Sequence, residues 1–140
     1  MPYTICISDR LEDDCIEIRQ KVFVEEQGFK NEFDDIDSKA YHALISDDES
    51  VIATGRLYTN DNFIYHIGRI AVLPAYRGKH IGQMVVSALE RKAVQCGGTS
   101  ISLSAQCRAA DFYKKLGYIE LDDVHMDEFC PHVTMIKNLK

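Results

Sequence analysis

The sequence predicts an α/β fold in which a mixed, mainly antiparallel sheet is covered by helices. Three observations carry this. Short β-rich runs alternate with helical stretches along the whole chain. Two of those stretches place apolar residues three and four apart: Leu11, Cys15, Ile18, Val22, and later Ile81, Val85, Ala88, Leu89, Ala93. The runs YHALIS and VIATGRLYT are separated only by the turn-forming DDES, the spacing of antiparallel neighbours.

Element by element, residues 3–7 (YTICI) read as a first strand, and the stripe from Leu11 as a helix with Asp9 as its cap. Gly28 breaks that helix, and residues 31–39 form an acidic connection. Strands follow at 41–46, 51–59 and 64–72; Pro74 ends the last, because proline cannot donate to a sheet ladder. A helix covers about 82–96 and stops at Gly97-Gly98. A strand at 99–104, a helix at 107–116 stopped by Gly117, and a strand at 132–138 complete the chain.

The 140 residues fit one domain, 1–140, and suffice for a core of its own. Apolar residues at 46% and charged residues at 27% exclude a mainly disordered chain, and 8 Gly with 3 Pro exclude collagen-like sequence. Sixteen basic against 22 acidic residues leave a net charge of −6. That balance argues against nucleic-acid binding and against an anionic membrane surface. No stretch reaches the roughly 20 apolar residues of a membrane span, and the opening MPYTICISDRLEDD does not read as a signal peptide. The five cysteines are odd in number and show no CxxC spacing. No disulfide framework or metal site is expected, and free thiols fit a cytoplasmic protein.

The most informative segment is 68–93, GRIAVLPAYRGKHIGQMVVSALERKA: a strand, a short basic glycine-bearing loop, then a helix. A helix start offers unpaired N–H groups and the positive end of the backbone dipole. Glycines there let phosphate oxygens approach the backbone, and Arg77 and Lys79 add positive charge in an acidic chain. One reading is a diphosphate site; the other is a tight strand–helix turn with exposed basic residues. The loop is neither the GxxxxGK[ST] nucleotide loop nor the GxGxxG dinucleotide fingerprint.

Arg77-Gly78-Lys79-His80-Ile81-Gly82 resembles the [Q/R]-x-x-G-x-[G/A] loop of the GCN5-related N-acetyltransferases (GNAT), with His80 where that family generally has glycine. Residues 19–42, with VFVEEQG and spaced acids, resemble the N-terminal signature of the ElaA-like and YjcF-like branch. LSAQCRAADFY, KLGY and DEFCPHVTM resemble its later motifs. The resemblance implies the GNAT fold, a mostly antiparallel twisted sheet with helices on both faces. It also implies acetyl-coenzyme A (acetyl-CoA) as co-substrate and a small-molecule or protein amine as acceptor. By carry-over, the backbone of Ile70, Ala71 and Val72 pairs with the pantetheine arm, and the N–H groups from Arg77 through Gly78, Lys79, His80 and Ile81 to Gly82 hold the diphosphate. The strand 68–72 is expected to splay from 100–104.

Acetyl transfer needs a neutral amine, although a free alkylamine has a pKa near about 10. It needs a donor for the developing oxyanion, most simply a backbone N–H near Val72, and it gains from an acid for the departing thiolate. The resemblance points to Tyr113 as that acid; the alternative is a core aromatic beside Phe112, itself expected in the core. Candidate bases are Glu26, His66 and Glu25, set against a solvated acid for Glu26 and a half-exposed strand residue for His66. His42 and His132 read as structural, and Cys107 as a residue that could line the coenzyme pocket. The acids Glu25, Glu26, Glu32, Asp34, Asp35 and Asp37 form either a solvated face or an acceptor groove for a cationic amine. A coenzyme-binding sensor that has lost its chemistry is the rival function, and an exposed sheet edge leaves a homodimer open.

Overall fold

The computed structural model describes residues 3–139. Strands β1 (Thr4–Ser8), β2 (Tyr41–Ser46), β3 (Val51–Thr59), β4 (Ile64–Val72), β5 (Ser100–Gln106), β6 (Ile119–Glu120), β7 (His125–Asp127) and β8 (Cys130–Asn138) form one sheet. Its order is β1-β2-β3-β4-β5-β8-β6, with β7 also paired to β8. Every pairing is antiparallel except β4 with β5. The helices are α1 (Asp13–Arg19), α2 (Ile81–Gln95) and α3 (Ala110–Lys115).

Neighbouring residues of β3 show that helices cover both faces. The Thr54 hydroxyl lies 3.2 Å from Cys15 Sγ on α1, whereas a Cβ on Gly55 would stand 2.6 Å from Val85 Cγ1 on α2. Successive strand residues point to opposite faces, so α1 and α2 flank the sheet. Gly55 is required there by proximity: any side chain would collide with the helix. The α2 stripe Ile81, Val85, Ala88, Leu89 and Ala93 is buried as its spacing predicts, together with Val86. Each large apolar side chain so buried contributes roughly 1.5–3 kcal/mol.

The first helix departs from expectation at both ends. Its N-cap is Glu12 rather than Asp9, and no side chain caps it; Ser8 Oγ instead donates to the Glu12 carboxylate at 2.7 Å. Beyond Arg19 the helix widens into a π-helical segment, Gln20–Glu26, closed by Gly28 at φ 85°. Apolar spacing does not distinguish this wider turn from an α-helix over two turns. The short strands β6 and β7 have no counterpart in the sequence reading, and their residues are exposed. Phe112, expected in the core, is 36% exposed, and its ring lies 3.3 Å from where a Cβ on Gly82 would sit.

The acidic connection is neither a solvated face nor a free cation trap. Arg19, only 1% exposed, binds Glu32 (2.9 Å) and Asp37 (2.7 Å). Arg56 binds Asp34 (2.7 Å) and Asp37 (3.0 Å), and Arg69 binds Glu32 (3.0 Å) and Asp34 (3.4 Å). Three carboxylates thus meet three guanidiniums, and His42 Nε2 contacts the Asp37 carbonyl at 3.0 Å. Glu25 and Asp35 remain exposed. The network ties α1 and the 31–39 connection to β3 and β4.

Burial opposes ionisation of Asp37, but the Arg19 and Arg56 bonds outweigh it and hold the carboxyl at about 2, below the ordinary 3.8. Its contribution is therefore complete above the ordinary value and is lost as pH falls toward about 2. Glu32, pushed up chiefly by burial, acts in the opposite sense as pH rises. Replacing Arg19 with Met leaves Asp37 only Arg56 and Glu32 only Arg69, and should cost about 3–5 kcal/mol in urea unfolding. The acid-limb loss of stability should be shallower in that variant.

Candidate active site

Strands β4 and β5 pair over only three residues, Ile64–Ser100, Tyr65–Ile101 and His66–Ser102. Past His66 the β5-facing edge of β4 has no strand partner among the described residues. The cause lies on the other edge of β4. Thr54 and Arg56 of β3 pair with Ala71 and Gly68, so two steps on β3 face three on β4. Arg69 sits in this bulge at φ 54°, its guanidinium anchored on the Glu32 carbonyl at 3.1 Å. A bulge bends its strand and strengthens the twist, which turns β4 away from β5.

The fork opens into a cavity of about 610 Å³. Its walls come from β4 (His66 to Ile70), β5 (Ser102 to Gln106), the π-helical segment (Phe23, Glu26), Arg77, Tyr113 and β8 (His132, Thr134). Gln106 Nε2 donates to Gln27 Oε1 at 2.8 Å, bridging β5 to the segment after the π-helix.

At one end β4 runs into the basic loop. Ala71 and Val72 pair with Thr54 and Ala53 of β3, which leaves their other edge toward the fork. Ile70 lines the cavity and packs on the core. Gly78 (φ 79°) and His80 (φ 64°) both adopt the left-handed conformation, and His80 is the α2 N-cap with no side-chain cap bond. No acid stands in the first turn of α2. The amides that open this helix are thus left for an anion. The Arg77 amide is not among them, because it bonds the Pro74 carbonyl at 3.3 Å. Lys79 is exposed, its ammonium 5.8 Å from the Tyr76 ring centre.

The structure joins two residues that the sequence assigned separate duties. Both terminal nitrogens of Arg77 bond the Glu26 carboxylate at 2.7 Å, and its Nε donates to the Val72 carbonyl at 3.0 Å. The Arg77 bond holds the Glu26 carboxyl below its ordinary value, which weakens Glu26 as a base. Glu25 is exposed and does not line the cavity. His66 stands at the mouth of the fork, stacked on Tyr58 at 4.9 Å, with burial lowering its pKa and favouring the neutral ring.

Tyr113 lies edge-on to Phe112 (4.9 Å) and Tyr118 (5.8 Å), nearly buried yet lining the cavity. Burial pushes its phenol up to about 12, so it is a neutral donor at any working pH. His132, read as structural, also lines the cavity, whereas Cys107 packs against the main core. No cluster of three metal-ligating side chains occurs among the described residues. The alternation of Ser102, Ser104 and Gln106 with buried Ile101, Leu103 and Ala105 was the available sequence signal for the β5 wall.

A family model described as the Acetyltransferase (GNAT) family matches residues 8–118. The chain belongs to the GNAT family. YjcF of Bacillus subtilis, described as an uncharacterized N-acetyltransferase, is 33% identical over 128 residues, covering 89% of this chain and 91% of its own. Escherichia coli ElaA is 28% identical over 130 residues, 89% of this chain and 85% of its own. The ElaA crystal structure superposes with a TM-score of 0.83 over 97% of this chain and 98% of that one. An aminoglycoside 6'-N-acetyltransferase crystallised with coenzyme A shares the fold at 15% identity, with a TM-score of 0.75 over 98% of this chain and 97% of that one. This GNAT chain is thus an ElaA/YjcF-like acyltransferase with acetyl-CoA as co-substrate. No helix among the described residues is long and apolar enough to cross a membrane.

A left-handed non-glycine residue at a family glycine position has a measurable consequence. His80→Gly should raise stability by about 1 kcal/mol in thermal unfolding, since left-handed backbone strains a residue with a Cβ. It should also tighten coenzyme A binding severalfold in a calorimetric titration.

Proposed function

We propose that this chain transfers the acetyl group of acetyl-CoA to a primary amine by direct attack, without an acyl-enzyme. The observation that carries the reading is the fork: an unpaired strand edge that leads into an uncapped helix start and faces a buried phenol. The free edge of β4 from Ile67 to Val72 fits an extended amide-bearing arm. The amides from Gly78 to Gly82 fit a diphosphate. Arg77, held by the Glu26 carboxylate and the Val72 carbonyl, adds positive charge at the start of that loop.

With the thioester lying in the fork, the carbonyl oxygen meets the β4 edge, where a backbone N–H near Val72 stabilises the developing oxyanion. The amine nitrogen forms the C–N bond, the C–S bond breaks, and Tyr113 gives its proton to the departing thiolate. The proton still on the new amide nitrogen then returns to Tyr113. A phenol that remains protonated across the working range suits this cycle.

Thiol release from acetyl-CoA against a panel of amines tests the activity. Tyr113→Phe should lower turnover by about 10²–10⁴-fold while retaining coenzyme binding, since positioned acids contribute that much. A protein with equal turnover in both forms would remove the assigned role of Tyr113. Excess acetyl-CoA should also raise the melting temperature: 100 times the dissociation constant adds about 2.7 kcal/mol. A sensor without chemistry would show that shift and release no thiol.

A further inference from the structure

The acceptor arrives as an ammonium, and neither acid proposed from the sequence is placed to deprotonate it. Glu26 is bonded to Arg77, and Glu25 lies outside the cavity. A different group is built into the β5 wall. Ser104 lines the cavity, and its Oγ lies 2.7 Å from His125 Nε2. His125 Nδ1 lies 2.8 Å from the Asp123 carbonyl oxygen. A carbonyl only accepts, so Nδ1 carries the hydrogen, and in the neutral ring Nε2 offers a lone pair. The Ser104 hydroxyl must therefore donate to Nε2, which leaves its own lone pairs for a donor in the cavity.

Register fixes this arrangement. Ser104 pairs with Thr134 across β5 and β8, and His132 pairs with His125 across β8 and β7. Residues 132 and 134 share one face of β8, so Ser104, Thr134, His132 and His125 stand on one face of three adjacent strands. Thr134 holds the Asp123 carboxylate by its amide (3.0 Å) and hydroxyl (2.5 Å), which fixes the carbonyl beneath His125. The charged or titratable groups around His125 are Asp123 on the preceding loop, Asp127 on its own strand and His132 on β8, whose ring stacks at 6.1 Å. His125 is exposed, so a proton reaching it can leave to solvent.

We propose that Ser104 and His125 form the relay that deprotonates the acceptor amine, an inference that rests on the acetyltransferase reading above. The ammonium gives one proton to Ser104 Oγ as the Ser104 proton passes to His125 Nε2. The products are a neutral amine and an imidazolium whose Nδ1–H bonds the Asp123 carbonyl. The amine then attacks the thioester as described, and His125 returns its proton to water. One proton is released per acetyl group transferred. Ser104 is the residue that touches the acceptor; His125 acts through it.

The test uses primary amines graded in basicity, from aminoacetonitrile through glycinamide to propylamine, with the full-length chain. Ser104→Ala and His125→Ala should each lower kcat/KM for propylamine by about 10²-fold, the ordinary contribution of a positioned base. Coenzyme A binding should be unchanged in both. The loss should shrink steadily toward aminoacetonitrile, which is already neutral at pH 7, and Ser104→Thr should retain most activity. Added imidazole should restore turnover to His125→Ala. Equal losses across the amine series, or no rescue of His125→Ala by imidazole, would overturn the relay and leave the acetyltransferase reading intact. A wild type that binds coenzyme A but turns over no amine would overturn both.

Discussion

The functional architecture depends on one interruption of hydrogen bonding: β4 and β5 pair for three residues and then part. A continuous parallel pairing would satisfy both edges and leave no room for a ligand. The interruption is made by a bulge on the opposite edge of β4, where an extra residue faces β3 and Arg69 adopts a left-handed backbone. The cost of that strained residue, of the order of 1–3 kcal/mol, is sustained only because its surroundings fix it. The fork and its bulge are one feature seen from two edges of the same strand.

What fixes the bulge is the buried ion network. Arg69 is anchored through Glu32, Glu32 through Arg19, and Arg19 through Asp37, which also receives Arg56. The chain from α1 to β4 is therefore electrostatic as well as apolar. A buried network of this kind does not maximise stability, because each ion gives up its hydration. It does specify geometry, since a guanidinium satisfied by two carboxylates tolerates little displacement. The acids of the 31–39 connection are thus held by arginines, and Glu32 among them also lines the cavity.

In the proposed reading, the acceptor side and the coenzyme side of the cavity are built by different rules. The coenzyme side uses backbone groups, the β4 edge and the α2 start, which many sequences can supply. The acceptor side uses side chains on β5, β7 and β8 together with the π-helical segment. Such walls vary freely while the fold persists, so membership in the family leaves the acceptor to be decided by this chain's own residues.

Much of the framework was legible in the residues. The stripe from Ile81 to Ala93 needed only helical spacing to be read, and strands β2, β3 and β4 lie where their β-rich runs end in turn signals. The basic glycine loop stood out because its charges oppose the chain's overall sign. The site was legible only in part. Ser104 and His125 lie 21 residues apart, and nothing in a linear sequence marks a pair that meets through strand register. Asp9 was a reasonable cap by residue type, yet the N-cap is Glu12, whose carboxylate bonds Ser8 at the end of β1.

By itself, then, the sequence determined the order of the longer elements, the buried stripe of α2 and the loop that opens it, since these follow from local periodicity and backbone chemistry. Tertiary structure alone decided where β4 leaves β5, which acids lose their water, that Arg77 joins Glu26, and that His125 meets Ser104. Those outcomes depend on which groups from distant segments become neighbours, and a carboxylate or imidazole takes its character from its neighbours.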